Sequence, residues 1–238
     1  MTAGNSAGYS FADSALIAET AARMLIEIGA VAFNTGQPYR LISGLASPVY
    51  VNCGKILSYP RLRRSIVEFS ASTILREVGF EALDSIVGGD SGGIPFAAWL
   101  ADALMLPMQY VRPRPKGFGR NAQIEGHLPA GERVLLVEDV TSDARSKINF
   151  SQALRGAGAK IDHVFVVFYY GIFPETERVM KELGLSLHRL TTWADVLAAA
   201  RAQRSVDAGT LAEVEKYLAD PLRWSASHGG AAELPAAV

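Results

Sequence analysis

The stretch Val134-Leu-Leu-Val-Glu138-Asp139-Val140-Thr141-Ser142-Asp143-Ala144-Arg145-Ser146 decides the fold class. It predicts an apolar strand over Arg133–Val137, a polar turn over Glu138–Ser146, and a helix that extends to about Arg155. Two adjacent carboxylates at the end of a buried strand are costly to place unless they bind a ligand. Hydroxyls and free N–H groups at the start of a helix favour an anion such as phosphate. The alternative is an acidic strand end followed by an ordinary N-cap.

The order of strand and then helix repeats on both sides of this stretch. Because strands and helices alternate, the sequence predicts an α/β fold with a mostly parallel sheet flanked by helices on both sides. Ligands of such sheets bind at the carboxyl ends of the strands. The predicted strands are Ser85–Val87, Met108–Val111, Arg133–Val137, Lys160–Phe168 and Leu185–Leu190.

The chain of 238 residues fits one domain with small additions. We predict a loose N-terminal segment at 1–12, an N-terminal helix and a small β hood at 13–58, a core at 59–203, and a C-terminal helix and tail at 204–238. Asp13 is expected to cap the first helix. The tail after Trp224 is rich in alanine and glycine and is expected to be frayed.

Composition and charge exclude several classes of protein. With 23 Lys and Arg against 24 Asp and Glu, the net charge is −1, which does not favour binding of nucleic acid or an anionic membrane over the whole surface. The one cysteine, Cys53, cannot form an internal disulfide. No apolar run approaches the ~20 residues of a membrane span, and the first ten residues do not resemble a secretory signal. The sequence therefore favours a soluble, cytoplasmic enzyme.

A second functional element is the aperiodic loop Arg112–Gly126, which we call the basic loop. It contains three glycines, two prolines and four basic residues, among them Arg114 and Lys116. Long loops without secondary structure in a compact domain are usually functional or disordered. The alternative is an ordinary solvated basic loop.

Two further elements contain glycine, serine and proline at turn positions. The predicted hood contains Leu41-Ile42-Ser43-Gly44-Leu45-Ala46-Ser47-Pro48-Val49-Tyr50, and the strand Ser85–Val87 leads into Gly88-Gly89-Asp90-Ser91-Gly92-Gly93. The hood segment could also be an ordinary tight hairpin. A glycine-rich turn by itself is weak evidence for a ligand site.

Taken in order from about residue 13 to 203, these elements resemble the type I phosphoribosyltransferases, and the hood resembles their orotate branch. The resemblance implies that the acidic pair faces the ribose hydroxyls and that the following loop binds the 5-phosphate. It implies that the glycine-rich turn faces the diphosphate and that the hood covers the base. The implied substrate-binding residues are Arg112, Arg114, Lys116, Glu138, Asp139, Val140, Thr141, Ser142, Asp143, Ala144, Arg145, Ser146, Asp90, Ser91, Gly92, Ser43, Gly44 and Tyr50.

The resemblance also implies the reaction. Orotate and 5-phosphoribosyl 1-diphosphate would give orotidine 5'-monophosphate and diphosphate, a step of pyrimidine biosynthesis, with Lys116 and Asp139 as catalytic residues. Mg²⁺ would be the cofactor, held chiefly by substrate oxygens, with no direct protein ligand assigned. A homodimer would share the basic loop between its active sites.

Several residues depart from the family pattern. Ala144-Arg145 stands where a glycine pair is usual, Pro113 and Phe118 replace a basic residue and a histidine of the loop, and Ile42 and Gly54 lie at positions that are often basic. Left-handed backbone at Ala144 would cost about 1 kcal/mol. These departures leave two alternatives open, a paralogue acting on another base and a non-catalytic sensor of a phosphoribosyl ligand.

The carboxylate of orotate lacks an obvious cationic partner. The family's orotate-binding arginine after the strand Lys160–Phe168 is replaced around Tyr169-Tyr170. Binding of the carboxylate would then depend on backbone N–H groups, on Arg40 or on Lys55.

Overall fold

The computed structural model describes residues 11–116 and 123–234. The expected loose segment therefore lies almost entirely outside the described residues. The helices are α1 (Ser14–Glu27), α2 (Pro60–Glu77), α3 (Gly93–Leu104), α4 (Arg145–Gly156), α5 (Pro174–Leu183), α6 (Trp193–Gln203), α7 (Ala208–Ala219) and α8 (Pro221–Ser227), with a short 3₁₀ helix at Cys53–Ser58. The strands are β1 (Val31–Phe33), β2 (Tyr39–Arg40), β3 (Ala46–Ser47), β4 (Val49–Val51), β5 (Ser85–Gly89), β6 (Met108–Val111), β7 (Ile124–Glu125), β8 (Arg133–Thr141), β9 (Lys160–Tyr169) and β10 (Ser186–Thr192).

The central sheet has the order β10-β9-β8-β5-β6-β7, and its strands are parallel except for β7, which runs antiparallel to β6. Along β8, Val134 and Leu136 belong to one apolar cluster, whereas Leu135 and Val137 belong to the other. Successive side chains of a strand point to opposite faces, so both faces of the sheet are buried. The predicted α/β class is confirmed.

The strand β8 ends at Thr141 and not at Val137. Its last residues pair with β9, Val140 with Phe168 and Thr141 with Tyr169. The prediction of a polar turn that begins at Glu138 is therefore wrong. A neighbouring strand supplies ladder partners that the local polarity does not reveal, and the turn proper begins at Ser142.

The predicted cap at the start of α1 is confirmed, since Asp13 accepts hydrogen bonds from the N–H groups of Ala15 and Leu16. The hood consists of two small antiparallel sheets, β1 with β4 and β2 with β3. They lie outside the central sheet, as predicted. Within the described ranges, no helix combines the length and apolarity needed to cross a membrane.

The C-terminal region differs from the prediction. It forms two helices, α7 and α8, and Asp220 between them caps α8 by accepting a hydrogen bond from the N–H of Arg223 at 3.1 Å. The expectation of a frayed tail after Trp224 is wrong for the described residues, because the tail docks on the hood. The N–H of Ala231 donates to the carbonyl oxygen of Gly44 at 3.0 Å, and Ser225 is buried.

Candidate active site

A cleft of about 870 Å³ lies between the hood and the carboxyl ends of the central strands. The turn after β8, the hood and the start of the basic loop meet there, although they are far apart in sequence. The residues that line it are Arg40, Leu41, Ile42, Ser43, Tyr50, Val51, Pro113, Arg114, Val140, Thr141, Ser142, Asp143, Arg145, Ser146, Lys147 and Tyr170.

The turn between β8 and α4 leaves one N–H group free at the start of a helix. Ala144, with φ +59°, adopts the left-handed conformation that favours glycine. The N–H of Arg145 donates to Oδ1 of Asp143 at 3.3 Å and the N–H of Lys147 to the carbonyl oxygen of Ala144 at 3.0 Å, whereas the N–H of Ser146 has no hydrogen-bond partner among the described residues. This N–H group and the helix dipole therefore remain available to an anion. The hydroxyl of Thr176 in α5 donates to the carbonyl oxygen of Ser142 at 2.5 Å and fixes the turn from outside.

Arg145 lines the cleft at this end, and its charge is already shared. Its Nε donates to Oδ2 of Asp143 at 2.7 Å, so the pair bridges two residues of the same turn. The guanidinium side chain remains one-third exposed. It can therefore contribute positive charge to a bound phosphate only in competition with Asp143.

The first acid, Glu138, is 7% exposed and is held by an ion pair. The ammonium group of Lys147, 1% exposed, contacts its carboxylate, and the hydroxyl of Ser146 donates to the same oxygen at 3.1 Å. Burial lowers the pKa of Lys147, and the contact with the carboxylate of Glu138 keeps the ammonium group charged. Glu138 is therefore a buried, neutralised carboxylate behind the cleft surface.

Lys147 is a site residue that the sequence analysis missed. It lies on the buried face of α4 together with Phe150, Ser151 and Leu154, which follow it by three, four and seven residues. A lysine in the buried helical pattern is unusual, because lysine is almost never fully buried without a partner. That position within the periodicity was the signal that could have revealed it.

The second acid, Asp139, points to the opposite face of β8 and packs against the glycine-rich turn. A Cβ atom at Gly92 would lie 2.5 Å from Oδ1 of Asp139, so the close approach requires glycine. Burial raises the pKa of Asp139, although the N–H of Val140, 3.0 Å from Oδ1, opposes this shift. The turn that contains Asp90 and Ser91, joined by a cis peptide bond, thus lies beside the acid assigned to catalysis.

Two cations of the basic loop, Arg112 and Lys116, form ion pairs with a glutamate of the same loop, Glu125. Nε of Arg112 lies 3.1 Å from Oε1 of Glu125, and the ammonium group of Lys116 contacts the same oxygen. The hydrogen bond to Glu125 raises the pKa of Arg112. Neither side chain lines the cleft, whereas Pro113 and Arg114 do. Residues 117–122, which include Phe118, lie outside the described residues.

The structure places the predicted site residues in five sets. Glu138 and Ala144 are buried behind the cleft, and Gly44 adjoins the cleft-lining Ser43. Arg112 and Lys116 are paired with Glu125, while Asp90, Ser91 and Gly92 belong to the turn against Asp139. Those that line the cleft are Ser43, Tyr50, Arg114, Val140, Thr141, Ser142, Asp143, Arg145 and Ser146.

The hood end of the cleft is more apolar and contains one candidate cation. Tyr50 and Tyr170 line it, and burial raises the pKa of the Tyr170 hydroxyl well above its ordinary range. Of the two cations that the sequence suggested for a carboxylate, only Arg40 lines the cleft. Lys55 instead donates to the carbonyl oxygen of Gly29 at 2.7 Å.

The class of protein follows from this sheet and site. The sequence profile of the phosphoribosyl transferase domain matches residues 56–178, just over half of the chain. The chain is 56% identical to an orotate phosphoribosyltransferase of Ruegeria sp. (strain TM1040), over 87% of this chain and 92% of the relative. It is 52% identical to one of Rhizobium rhizogenes, over 94% and 97% of the two chains. The chain therefore belongs to the phosphoribosyltransferase family, and within it to the orotate phosphoribosyltransferases.

Solved structures share the fold. The Aeropyrum pernix orotate phosphoribosyltransferase superimposes with a TM-score of 0.64 at 25% identity, covering 75% of this chain and 97% of that one. The Leishmania donovani UMP synthase gives a TM-score of 0.72 at 22% identity, covering 84% of this chain and 42% of that longer one. The resemblance that the motifs indicated, and the fold it implied, are confirmed.

Proposed function

We infer that this chain transfers the phosphoribosyl group of 5-phosphoribosyl 1-diphosphate to orotate, a step of pyrimidine biosynthesis that yields orotidine 5'-monophosphate and diphosphate. The observation that carries this function is the single cleft in which a phosphate-type turn faces a hood. The turn lies at the carboxyl end of β8, and the hood covers the other end. The high identity with relatives of that name over nearly the whole chain supports it.

The 5-phosphate would bind at the turn after β8. The N–H of Ser146 in the first turn of α4 is free among the described residues, and the hydroxyls of Thr141 and Ser142 line the same part of the cleft. Such donors bind a dianion without a dedicated cation. Arg145 adds charge when it exchanges part of its contact with Asp143 for the phosphate.

The ribose would lie over the acidic pair, and the two acids have unequal roles. The transition state develops positive charge on the ribose, which a nearby carboxylate stabilises. Lys147 already neutralises Glu138, whereas Asp139 has no ion-pair partner among the described residues. Asp139 is therefore the carboxylate proposed to stabilise this charge, and Glu138 is proposed to act on the substrate indirectly, by holding Ser146 and Lys147, which line the cleft.

The diphosphate would leave towards the glycine-rich turn and the basic loop. Lys116 and Arg112 are the proposed cations, and each must exchange Glu125 for the diphosphate. Closure of such a loop excludes water from a reactive sugar cation. We propose that the protein is a cytoplasmic homodimer in which this loop serves the neighbouring subunit. Sedimentation analysis of the purified chain tests the dimer.

Mg²⁺ is the proposed cofactor, and the described residues fit an ion that is held mainly by the substrate. Among residues 11–116 and 123–234, no cluster of three or more histidine, cysteine, aspartate and glutamate side chains could hold a metal by itself. Oxygens of the substrate would be the chief ligands of the ion, and Asp90 of the glycine-rich turn offers a carboxylate of the kind that Mg²⁺ prefers. When bound, Mg²⁺ offsets negative charge on the leaving diphosphate.

A direct assay tests the function. Protein, Mg²⁺, 5-phosphoribosyl 1-diphosphate and orotate are mixed, and the loss of orotate absorbance is followed. Consumption of orotate is the expected result. If parallel assays with other bases show that only another base is consumed, the result favours a paralogue that acts on that base. Binding of the sugar diphosphate without turnover would favour the sensor, for which the left-handed Ala144 is the specific observation.

A further inference from the structure

Four cationic side chains line the cleft, and three of them are assigned to its phosphate side. Arg145 is paired with Asp143, Lys147 is paired with Glu138, and Arg114 lies in the basic loop. Arg40 is the fourth, and it lies on β2 in the hood. In the described part of the chain it has no ion-pair partner. At the base side of the cleft, the charge of Arg40 is therefore not offset by a carboxylate of the described residues.

The C-terminal tail holds the Arg40 side chain. Nη1 of Arg40 donates to the carbonyl oxygen of Gly229 at 2.6 Å, a neutral acceptor that leaves the charge intact. The planar guanidinium has five N–H donors, and this contact uses only one of its nitrogens. Nε and Nη2 have no hydrogen-bond partner among the described residues. A planar, charged donor fork positioned in this way matches a carboxylate.

The tail is itself fixed on the hood by tight packing and hydrogen bonds. The N–H of Ala46 donates to the hydroxyl of Ser225 at 2.9 Å, and that hydroxyl donates to the carbonyl oxygen of Ala231 at 2.6 Å. A Cβ atom at Gly230 would lie 2.3 Å from the backbone nitrogen of Ala46, so the backbone of the tail lies directly against β3. Gly229, whose carbonyl holds Arg40, is itself exposed but lies between the docked residues Ser225 and Gly230.

No other cation of the hood lines the cleft. Ile42 is fully exposed and uncharged, Gly54 has no side chain, and Lys55 is committed to the carbonyl of Gly29. Tyr50 and Tyr170 contribute aromatic surface and no positive charge. A base with a carboxylate group that enters beneath the hood thus meets one guanidinium contributed by the hood, that of Arg40.

We propose that Arg40 determines specificity by binding the carboxylate of the pyrimidine substrate, and that the docked tail positions it through Gly229. This inference rests on the proposed function and names the residue that selects the acid base. A charge-assisted hydrogen bond of this kind corresponds to a preference of about 10- to 100-fold for a ligand with the carboxylate over the same ligand without it.

The test compares two ligands that differ only by that group. Calorimetry measures the dissociation constants of orotidine 5'-monophosphate and uridine 5'-monophosphate for the unmodified protein, Arg40→Gln, Arg40→Lys and Lys55→Gln. The preference is the ratio of the two dissociation constants. We expect this ratio to fall at least tenfold in Arg40→Gln, through weaker binding of orotidine 5'-monophosphate, while the affinity for uridine 5'-monophosphate is unchanged. Arg40→Lys should keep part of the preference, and Lys55→Gln should keep all of it.

The outcomes separate the two proposals. Retention of the full preference in Arg40→Gln overturns the assignment of Arg40 and leaves the proposed function standing. Absence of any preference in the unmodified protein overturns recognition of orotate itself, and with it the proposed function. Unchanged binding of uridine 5'-monophosphate in each variant shows that the cleft is folded.

Discussion

The two ends of the cleft are built in different ways. Apart from Pro113 and Arg114 of the basic loop, the phosphate side consists of one continuous segment, 138–147, that passes from β8 into α4. The base side combines residues 40–50 of the hood, Tyr170 after β9, and the tail at 225–231. The first is held by local backbone geometry, and the second by contacts between segments about 180 residues apart. The residues of the phosphate side can therefore be recognised in the sequence. The base side, in contrast, forms only when the C-terminal tail docks on the hood.

The charges at the two ends also differ. On the phosphate side, Arg145 and Lys147 each face a carboxylate of the protein, whereas Arg114 has no ion-pair partner among the described residues. On the base side, Arg40 faces a neutral carbonyl. Cations paired with carboxylates must exchange partners when an anion binds, while Arg40 needs no exchange. The two ends should therefore respond differently to substitution.

The largest effect is expected at the buried pair of the phosphate side. Lys147→Met leaves Glu138 as a buried charge without its partner and should lower the free energy of unfolding by about 3–5 kcal/mol. Denaturant titration measures it. The double variant Lys147→Met with Glu138→Gln should recover much of the loss, and Lys160→Met, at an exposed lysine, should cost little. A single variant as stable as the unmodified protein would contradict the structural importance of the pair.

The next effect distinguishes turnover from binding on the same side. Lys116→Ala should lower kcat by about 10²- to 10³-fold with a smaller change in KM for the sugar diphosphate, because the charge is needed on the leaving group. Asp139→Asn should instead weaken binding of the sugar diphosphate. Steady-state kinetics and calorimetry measure these quantities. If neither variant changes them, the roles assigned to these residues are wrong.

A moderate effect is expected at the base side. Gly230→Ala inserts a Cβ atom 2.4 Å from Oγ of Ser225 and should lower the unfolding free energy by about 1–3 kcal/mol. It should also raise KM for orotate and leave KM for the sugar diphosphate unchanged. Gly156→Ala is the matched control, because nothing lies within 4 Å of its added Cβ atom. Equal KM values for orotate in both variants would show that the tail does not position the hood.

The smallest effect tests the backbone of the phosphate side. Ala144→Gly removes the cost of a side chain in the left-handed region and should raise the unfolding free energy by about 0.5–1 kcal/mol, since the gain exceeds the added entropy of the unfolded chain. Thermal unfolding measures it. A lower melting temperature would mean that burial of the Ala144 methyl group outweighs the backbone cost.

Much of the fold was predictable because it depends on local patterns. The apolar run of β9 and the N-cap Asp13 lie where the sequence places them, to within a residue. The extension of β8 to Thr141 was not predictable, because it depends on pairing with β9. The docked tail was missed for a similar reason. Its glycines resemble a flexible end, but Gly230 fits against Ala46 only because it lacks a side chain.

The candidate site divides in the same way. The acids, the turn and the basic loop are recognisable by residue type, because phosphate and developing charge require carboxylates, N–H groups and cations in short succession. Lys147 was missed because its partner, Glu138, lies across a strand-to-helix turn. The commitment of Lys55 to Gly29 was equally invisible, because the two are 26 residues apart in the chain.

The sequence by itself determined the parallel sheet and the family, since both follow from the order of short local patterns along the chain. Only the tertiary structure decided which charges remain available. Ion pairing removes Glu138 from the free acids, and tail docking places Arg40 in the cleft. The physical reason is that the strength of a charge depends on its neighbours and its burial, and these are set when distant segments pack together.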